Sequence, residues 1–154
     1  MWPLAVVLGL AGILGPGFPS ALGQDGSGKG KADGAAAPKK SEEEILLEAV
    51  GAEWKSGNAK ALAARLPAKR RVSIRLPGAE GGDYRAEQAK SVLEAYFAGR
   101  TFSRVELKSC KEMTGTFEVE YARTADRKKV KAELLVVLGT EEKRRVLESV
   151  RESP

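Results

Sequence analysis

Carboxylates and tyrosines are the side chains of this sequence most able to do chemistry. The sequence has no histidine and one cysteine, Cys110, which excludes histidine-dependent triads, zinc sites of clustered cysteine or histidine, and a CxxC redox pair. Acid–base catalysis would therefore need a carboxylate in a desolvated site. Asp83 and Glu87 lie nearest the third predicted helix, and Asp83 fits its N-cap. Because strand alternation places no carboxylate inward, we predict no enzyme, no catalytic residue, no metal and no cofactor.

Six aromatic residues could either line a small-molecule pocket or fill the core. Aromatic residues make up only 6% of the chain, so a domain of this size needs most of them for packing. The pocket interpretation requires the same rings to face an open interior. Both interpretations stay open, with core packing favoured. The candidate pocket residues are Trp54, Tyr84, Tyr96, Phe97, Phe117 and Tyr121.

Local signals predict two short-linked helices at the start of the domain. Ser41 and Glu44 form a capping box, which is typical of a helix N-terminus. Apolar residues then recur at helical spacing until Ser56-Gly57, which should end the first helix. Asn58 can cap a second helix, and Pro67 stops it. The two helices therefore should form a tight helical hairpin.

A strand, a glycine-rich loop and a third helix are predicted next. Residues 70–76 alternate apolar and polar side chains, as a strand with one buried face does. The segment 77–82 contains Pro-Gly and Gly-Gly pairs and should form a loop at the rim of the domain, either as a mobile rim or as a lid over a ligand. Asp83 then should cap the third helix, which Gly99 ends.

Four strands joined by hairpins are predicted after Gly99, and together they favour an antiparallel meander. A change of parity between Phe102 and Val105 indicates a bulge in the first of them. Turns are expected at Thr114-Gly115, at 125–128 and at 140–143. The last strand should cover residues 144–152.

The outer face of this meander should be charged near its middle and apolar at one end. The charged residues are Glu118, Glu120, Lys131 and Glu133. Leu135, Val137 and Leu147 could form a small outward apolar patch. This patch either contacts a terminus or a loop, or it forms a modest homodimer surface.

The first 41 residues predict export followed by a tether. Residues 4–14 are an uninterrupted apolar run that is too short to span a bilayer comfortably. Ala21 and Gly23 provide the small residues expected before a cleavage site after Gly23. We therefore predict a signal peptide over 1–23 and a flexible Gly/Ala/Lys linker over 24–41. The mature protein should be periplasmic or extracellular with no integral membrane segment. The alternative is an uncleaved N-terminal anchor.

The net charge of +5 does not by itself indicate nucleic-acid binding. Basic clusters at 69–71, 127–129 and 143–145 fall at strand edges or turns, where lysine and arginine also prevent aggregation. No exposed aromatic platform accompanies them. We therefore predict no nucleic-acid partner, and anionic polymers or lipid headgroups fit the charge better.

The predicted order ααβαββββ resembles the nuclear transport factor 2-like superfamily. Four stretches carry the resemblance, namely EWKSGNAKAL at 53–62, SIRLPG at 73–78, GDYRAEQAKSVLEAYF at 82–97 and RVLESVRE at 145–152. Within the superfamily the chain is most similar to a small exported bacterial family of unknown function. The resemblance implies an α+β cone over residues 42–154, with three helices packed in a curved antiparallel sheet.

Function does not follow from this resemblance, because the superfamily includes isomerases, dehydratases, carrier-like binding proteins and assembly domains. The preferred interpretation is an exported, non-enzymatic binding or scaffolding domain whose partner is another protein or a second copy. The alternative is a cone that binds a small apolar ligand, with weak isomerase- or dehydratase-type catalysis at most.

Overall fold

A computed structural model describes residues 38–154 of the chain. The predicted signal peptide, and all but the last four residues of the predicted linker, lie outside the described residues. The described part contains three helices and six strands. The helices are α1 (Glu42–Lys55), α2 (Ala59–Ala63) and α3 (Ala86–Ala98); the strands are β1 (Val72–Arg75), β2 (Gly82–Tyr84), β3 (Arg100–Lys111), β4 (Thr114–Arg123), β5 (Lys129–Glu141) and β6 (Arg144–Ser153).

The predicted caps of the first two helices are confirmed. The Ser41 hydroxyl accepts a hydrogen bond from the Glu44 N–H at 3.1 Å, and the Asn58 carboxamide accepts one from the Ala61 N–H at 3.0 Å. Each cap satisfies a backbone donor that has no partner within its own helix. Local chemistry therefore sets where both helices begin.

The start of the third helix differs from the prediction. Asp83 is not an N-cap, because it lies in the additional short strand β2, where it is paired with Ser73 of β1. The helix begins after Arg85, and the Gln88 side chain accepts a hydrogen bond from the Arg85 N–H at 3.3 Å. The element order is therefore ααββαββββ, one strand more than predicted.

All six strands form one curved sheet in the order β2-β1-β6-β5-β4-β3. The predicted meander of β3 to β6 is confirmed, and each of its pairs is antiparallel. The pair β1 and β6 is parallel, with Ile74 opposite Val150. The sheet is therefore antiparallel-rich rather than wholly antiparallel, and the α+β cone is confirmed as the fold.

The first hairpin turn lies two residues earlier than predicted. Glu112 and Met113 form the turn, whereas Thr114 and Gly115 belong to β4. A side chain at Gly115 would place its Cβ 2.7 Å from a methyl group of Leu47 in α1. The absence of a side chain at Gly115 therefore permits close packing of α1 on the sheet. In the sequence, a glycine kept for packing is easily mistaken for a turn residue.

The core lies between the helices and the concave face of the sheet. The predicted bulge in β3 is confirmed between Phe102 and Arg104, and a second occurs between Leu107 and Ser109. Bulges increase local bending, so they help β3 curve around α1. Residues that are less than 2% exposed and fill this core include Leu47, Trp54, Leu62, Ile74, Leu93, Phe117 and Leu134.

The predicted outward apolar patch is wrong at Leu147. This residue is 1% exposed and packs in the core, because a bulge at Glu148 shifts the side-chain alternation of β6. Leu135 and Val137 are half-buried on the outer face. Among the described residues, Ile45 is the exposed large apolar side chain, at 57%. The outer sheet face therefore offers little apolar area.

Charged residues cover the middle of the outer face, as predicted. Lys131 pairs with Glu120 at 2.9 Å, and Arg104 lies 3.2 Å from Glu118. These are exposed pairs, so each contributes little to stability. Their arrangement shows that this face contacts water. Within residues 38–154, no helix is long and apolar enough to cross a membrane.

Candidate functional site

A buried carboxylate, Glu152, lies inside the fold near the end of β6. Its side chain points to the concave face with Val150, and the residue is only 8% exposed. The expectation that no carboxylate faces inward is therefore wrong. Glu152 has the same strand parity as Val150, two residues before it, and this alternation was a usable signal in the sequence.

Two tyrosine hydroxyls hold the Glu152 carboxylate. Tyr121 of β4 donates a hydrogen bond to Oε1 at 2.7 Å, and Tyr96 of α3 donates one to Oε2. A buried charge without partners would cost several kcal/mol. The two hydroxyls supply partners from a helix and from a strand, so the tertiary fold assembles this cluster.

Burial and the bond to Glu152 favour the protonated form of both phenols. Burial is the largest cause that raises the pKa of Tyr96, followed by its hydrogen bond to Glu152. The pKa of Tyr121 is raised by the same two causes, and the nearby Arg100 charge opposes them. Both hydroxyls therefore stay protonated and act as donors at neutral pH.

Arg100, the first residue of β3, covers the two tyrosines. Its guanidinium carbon lies 4.0 Å from the centre of the Tyr96 ring and 5.3 Å from that of Tyr121. Its two terminal nitrogens donate to the carbonyls of Tyr96, at 2.9 Å, and of Pro77, at 2.7 Å. The cation is thus held by ring faces and neutral carbonyls.

The charge of Arg100 has no carboxylate partner in the part of the chain that the structure describes. Arg65, Arg123 and Arg145 each form an ion pair, with Glu53, Asp126 and Glu43 respectively. Arg100 forms none, and its buried Nε has no hydrogen-bond partner among these residues. Arg100 was not among the residues predicted from sequence, because an arginine at the start of a strand carries no distinctive pattern.

Arg100 lines three recesses. Phe97 and Phe102 line one of them, and the other two share Pro77, Gly78 and Arg100. The strand-side recess has a volume of about 410 Å³. Its other lining residues are Tyr121, Arg123, Val130, Ala132, Glu152 and Pro154. The helix-side recess has a volume of about 420 Å³. Its other lining residues are Ala79, Glu80, Tyr84, Ser91, Val92, Ala95 and Tyr96.

The structure brings three of the six candidate aromatic residues to the strand-side and helix-side recesses. Tyr96 and Tyr121 bind Glu152, as described above. Tyr84 lines the helix-side recess and donates its hydroxyl hydrogen bond to the Glu80 carbonyl. This bond ties the segment 77–82, the predicted rim loop, to β2.

The other three candidate aromatic residues line neither the strand-side recess nor the helix-side recess. Trp54 and Phe117 are fully buried, and Phe97 packs edge-on against Trp54 with ring centres 5.1 Å apart. Phe102, which was not a candidate, lies 5.2 Å from Tyr121 between ring centres. Trp54, Phe97 and Phe102 each pack against the Tyr96 ring, with ring centres 5.6, 5.4 and 6.0 Å away respectively.

Asp83 and Glu87, the carboxylates first considered, are exposed and lie outside both recesses. Within residues 38–154, no group of three histidine, cysteine, aspartate or glutamate residues could hold a metal ion. Cys110 is half-buried, and burial raises the pKa of its thiol. A raised pKa disfavours the reactive thiolate.

Alkaline pH should destabilise the fold through these phenols. Because the folded pKa of Tyr96 lies above the unfolded value of about 10, its contribution is complete below pH 10 and is lost as the pH rises above it. We expect the free energy of unfolding to fall more steeply above pH 10 in the wild type than in Tyr96→Phe. Denaturant titrations across this pH range measure the slopes.

Tyr84→Phe is the matched control, because its hydroxyl bonds a loop carbonyl rather than a buried carboxylate. Because Tyr84 has no part in the Glu152 cluster, the slope of Tyr84→Phe should differ less from that of the wild type than the slope of Tyr96→Phe does. Equal slopes in the wild type and Tyr96→Phe would show that burial and the bond to Glu152 do not raise the pKa of Tyr96 in the folded protein.

The curved six-stranded sheet around three helices defines a nuclear transport factor 2-like fold. A nuclear transport factor 2-like protein from Anabaena variabilis is similar over 76% of this chain and 92% of its own, with 17% identity and a TM-score of 0.54. A protein of the DUF4783 family from Bacteroides fragilis is similar over 67% and 92%, with 13% identity and a TM-score of 0.53.

A third solved structure with this fold is SalBIII, an epoxide hydrolase/cyclase-like enzyme in the formation of the pyran ring of salinomycin. The similarity extends over 72% of this chain and 88% of the SalBIII chain, with 14% identity and a TM-score of 0.51. No protein-family model and no curated protein matches the chain. At these identities the likeness shows the fold alone.

Proposed function

We propose that this domain binds a small molecule in the strand-side recess, where the ligand contacts Glu152. The single observation that carries the proposal is this carboxylate, buried between two tyrosines yet lining an open recess. Buried polar clusters can often be replaced by apolar residues without loss of stability. Stability alone therefore gives little reason for a glutamate here, whereas a ligand does.

The shape and lining of the recess support a small ligand. Its volume of about 410 Å³ falls within the usual range for such sites, which is roughly 300–1,000 Å³. Pro77, Val130 and Ala132 give it apolar walls, while Glu152 and Arg100 supply convergent polar groups. The proposed ligand site therefore contains charged groups, whereas the sequence predicted a cone for a small apolar ligand.

A small ligand fits the surface better than a scaffolding role. Stable protein interfaces bury roughly 1,200–2,000 Å² around an apolar centre. The outer sheet face is charged in its middle, and Leu135 and Val137 are what remains of the candidate dimer patch. Self-association through this face therefore has little apolar area to drive it.

The proposal is tested by thermal unfolding with a panel of acidic, basic, neutral and zwitterionic small molecules. We expect at least one compound to raise the melting temperature, because a ligand that binds the native state stabilises it. Glu152→Gln should lose this shift. Glu80→Gln, the same change in the helix-side recess, should keep it. No shift with any compound, or equal shifts in Glu152→Gln, would contradict the proposal.

Proton transfer is a second candidate function, and Glu152 is the specific observation that favours it. General acid–base catalysis uses a carboxylate in a desolvated site within reach of the substrate. Uptake of deuterium from heavy water by a bound compound, absent in Glu152→Gln, would distinguish proton transfer from binding alone.

We further propose that the chain is exported. The apolar run at 4–14 and the small residues Ala21 and Gly23 support a signal peptide over 1–23. Binding would then take place in a periplasmic or extracellular space.

A further inference from the structure

The strand-side recess contains one negative and one positive group that are both available to a ligand. Glu152 and Arg100 line it, and they form no ion pair with each other. Arg123 also lines it, but its charge is matched by Asp126. The recess therefore presents two opposite charges that a ligand can meet separately.

Arg100 retains capacity for an anion. A guanidinium has five N–H donors, and the structure shows bonds from two of its nitrogens to neutral carbonyls. A carboxylate forms stronger, charge-assisted bonds to a guanidinium than a carbonyl does. The Tyr96 ring beneath the cation fixes its plane without neutralising it.

Glu152 retains capacity for a cation. Each of its oxygens accepts one hydrogen bond from a tyrosine, whereas a carboxylate has about four acceptor positions. Both donors are neutral phenols, and no lysine or arginine within residues 38–154 forms an ion pair with Glu152. An ammonium group is the partner that supplies both hydrogen bonds and the opposite charge.

We infer that the ligand is a small zwitterion of the α-amino-acid type, with its ammonium on Glu152, its carboxylate on Arg100 and an apolar side chain against Val130 and Ala132. This inference rests on the proposed function. A simple carboxylic acid could pair with Arg100 but would bring a second negative charge into the recess that contains Glu152. A simple amine could pair with Glu152 but would bring a second positive charge into the recess that contains Arg100. A zwitterion satisfies both groups, so charge also gives selectivity.

Calorimetric titration of the full chain tests the inference with compounds that share one carbon skeleton. Leucine is compared with 4-methylpentanoate, which lacks the ammonium, and with 3-methylbutylamine, which lacks the carboxylate. Methionine and phenylalanine extend the test to other apolar side chains. We expect an amino acid to bind about tenfold or more tightly than its acid or amine analogue, since each removes a charged hydrogen-bond partner.

Two variants locate the binding, and Arg75→Gln on the exposed end of β1 is their control. Glu152→Gln and Arg100→Gln should each weaken amino-acid binding about tenfold or more, and Arg75→Gln should leave it unchanged. The analogue comparison uses the unaltered protein, so it stands even if a variant does not fold.

The outcomes separate this inference from the proposed function. One outcome is that an acid, an amine or a neutral panel compound binds, and that the amino acids either do not bind or bind no more tightly than it does. The inference of a zwitterionic ligand is then wrong, and the proposal of small-molecule binding stands. If neither the amino acids nor any panel compound binds, both are wrong.

Discussion

Replacing Trp54 with alanine should lower the free energy of unfolding by about 3–5 kcal/mol. The indole is fully buried, and its ring centre lies 5.6 Å from that of Tyr96 and 5.1 Å from that of Phe97. Removing it leaves a cavity between α1 and α3, directly beneath the tyrosine that holds Glu152. Equilibrium unfolding in denaturant measures the loss.

Trp54→Phe is the matched control for this experiment. The indole Nε1 is buried and has no hydrogen-bond partner among the described residues. Phenylalanine removes that donor and keeps most of the ring volume, so its cost should be about 1–2 kcal/mol. A loss under about 1 kcal/mol in Trp54→Ala would show that the ring does not fill the core.

Glu152→Leu should lower the free energy of unfolding by about 3 kcal/mol, because it leaves the hydroxyls of Tyr96 and Tyr121 buried without an acceptor. The effect should be read against a triple variant that also carries Tyr96→Phe and Tyr121→Phe. In the triple variant no buried polar group of the cluster remains unpaired. Its stability should return to the wild-type value or exceed it.

The triple variant separates a structural role of the cluster from a functional one. If the cluster is kept for ligand binding, the apolar version folds as well and binds nothing. If the triple variant is as unstable as Glu152→Leu, the cluster contributes stability of its own, and the argument from Glu152 to a ligand fails. The three residues contact one another, so the single effects should not add.

Signals confined to a few residues predicted the local structure well. Ser41 and Asn58 cap their helices through bonds to backbone groups three residues away, so the chain alone contains what decides them. The meander followed from alternation and turn residues. Both kinds of signal act over short distances in sequence, as helix caps and hairpins do.

Features that depend on tertiary neighbours could not be predicted in this way. Gly115 is a glycine because of Leu47, far away in sequence. Leu147 faces inward because of a bulge that only the pairing of β5 with β6 reveals. Strand β2 forms because its backbone pairs with the edge strand β1. In each case the cause lies in another element.

The site was missed in part through an assumption about polarity. Glu152 has inward parity, but a glutamate near the end of a strand reads as solvent-exposed. Its burial depends on Tyr96 and Tyr121, which the sequence separates from it by 56 and 31 positions. Both tyrosines were candidates, and the carboxylate that joins them was not.

Native mass spectrometry of the protein purified from its own cells tests the central claim most directly. We expect the wild type to retain one small molecule per chain, Glu80→Gln to retain it and Glu152→Gln to lose it. The same spectrum reads whether residues 1–23 have been removed. A wild type without a bound molecule, or the same bound mass in Glu152→Gln, would contradict a ligand site at Glu152.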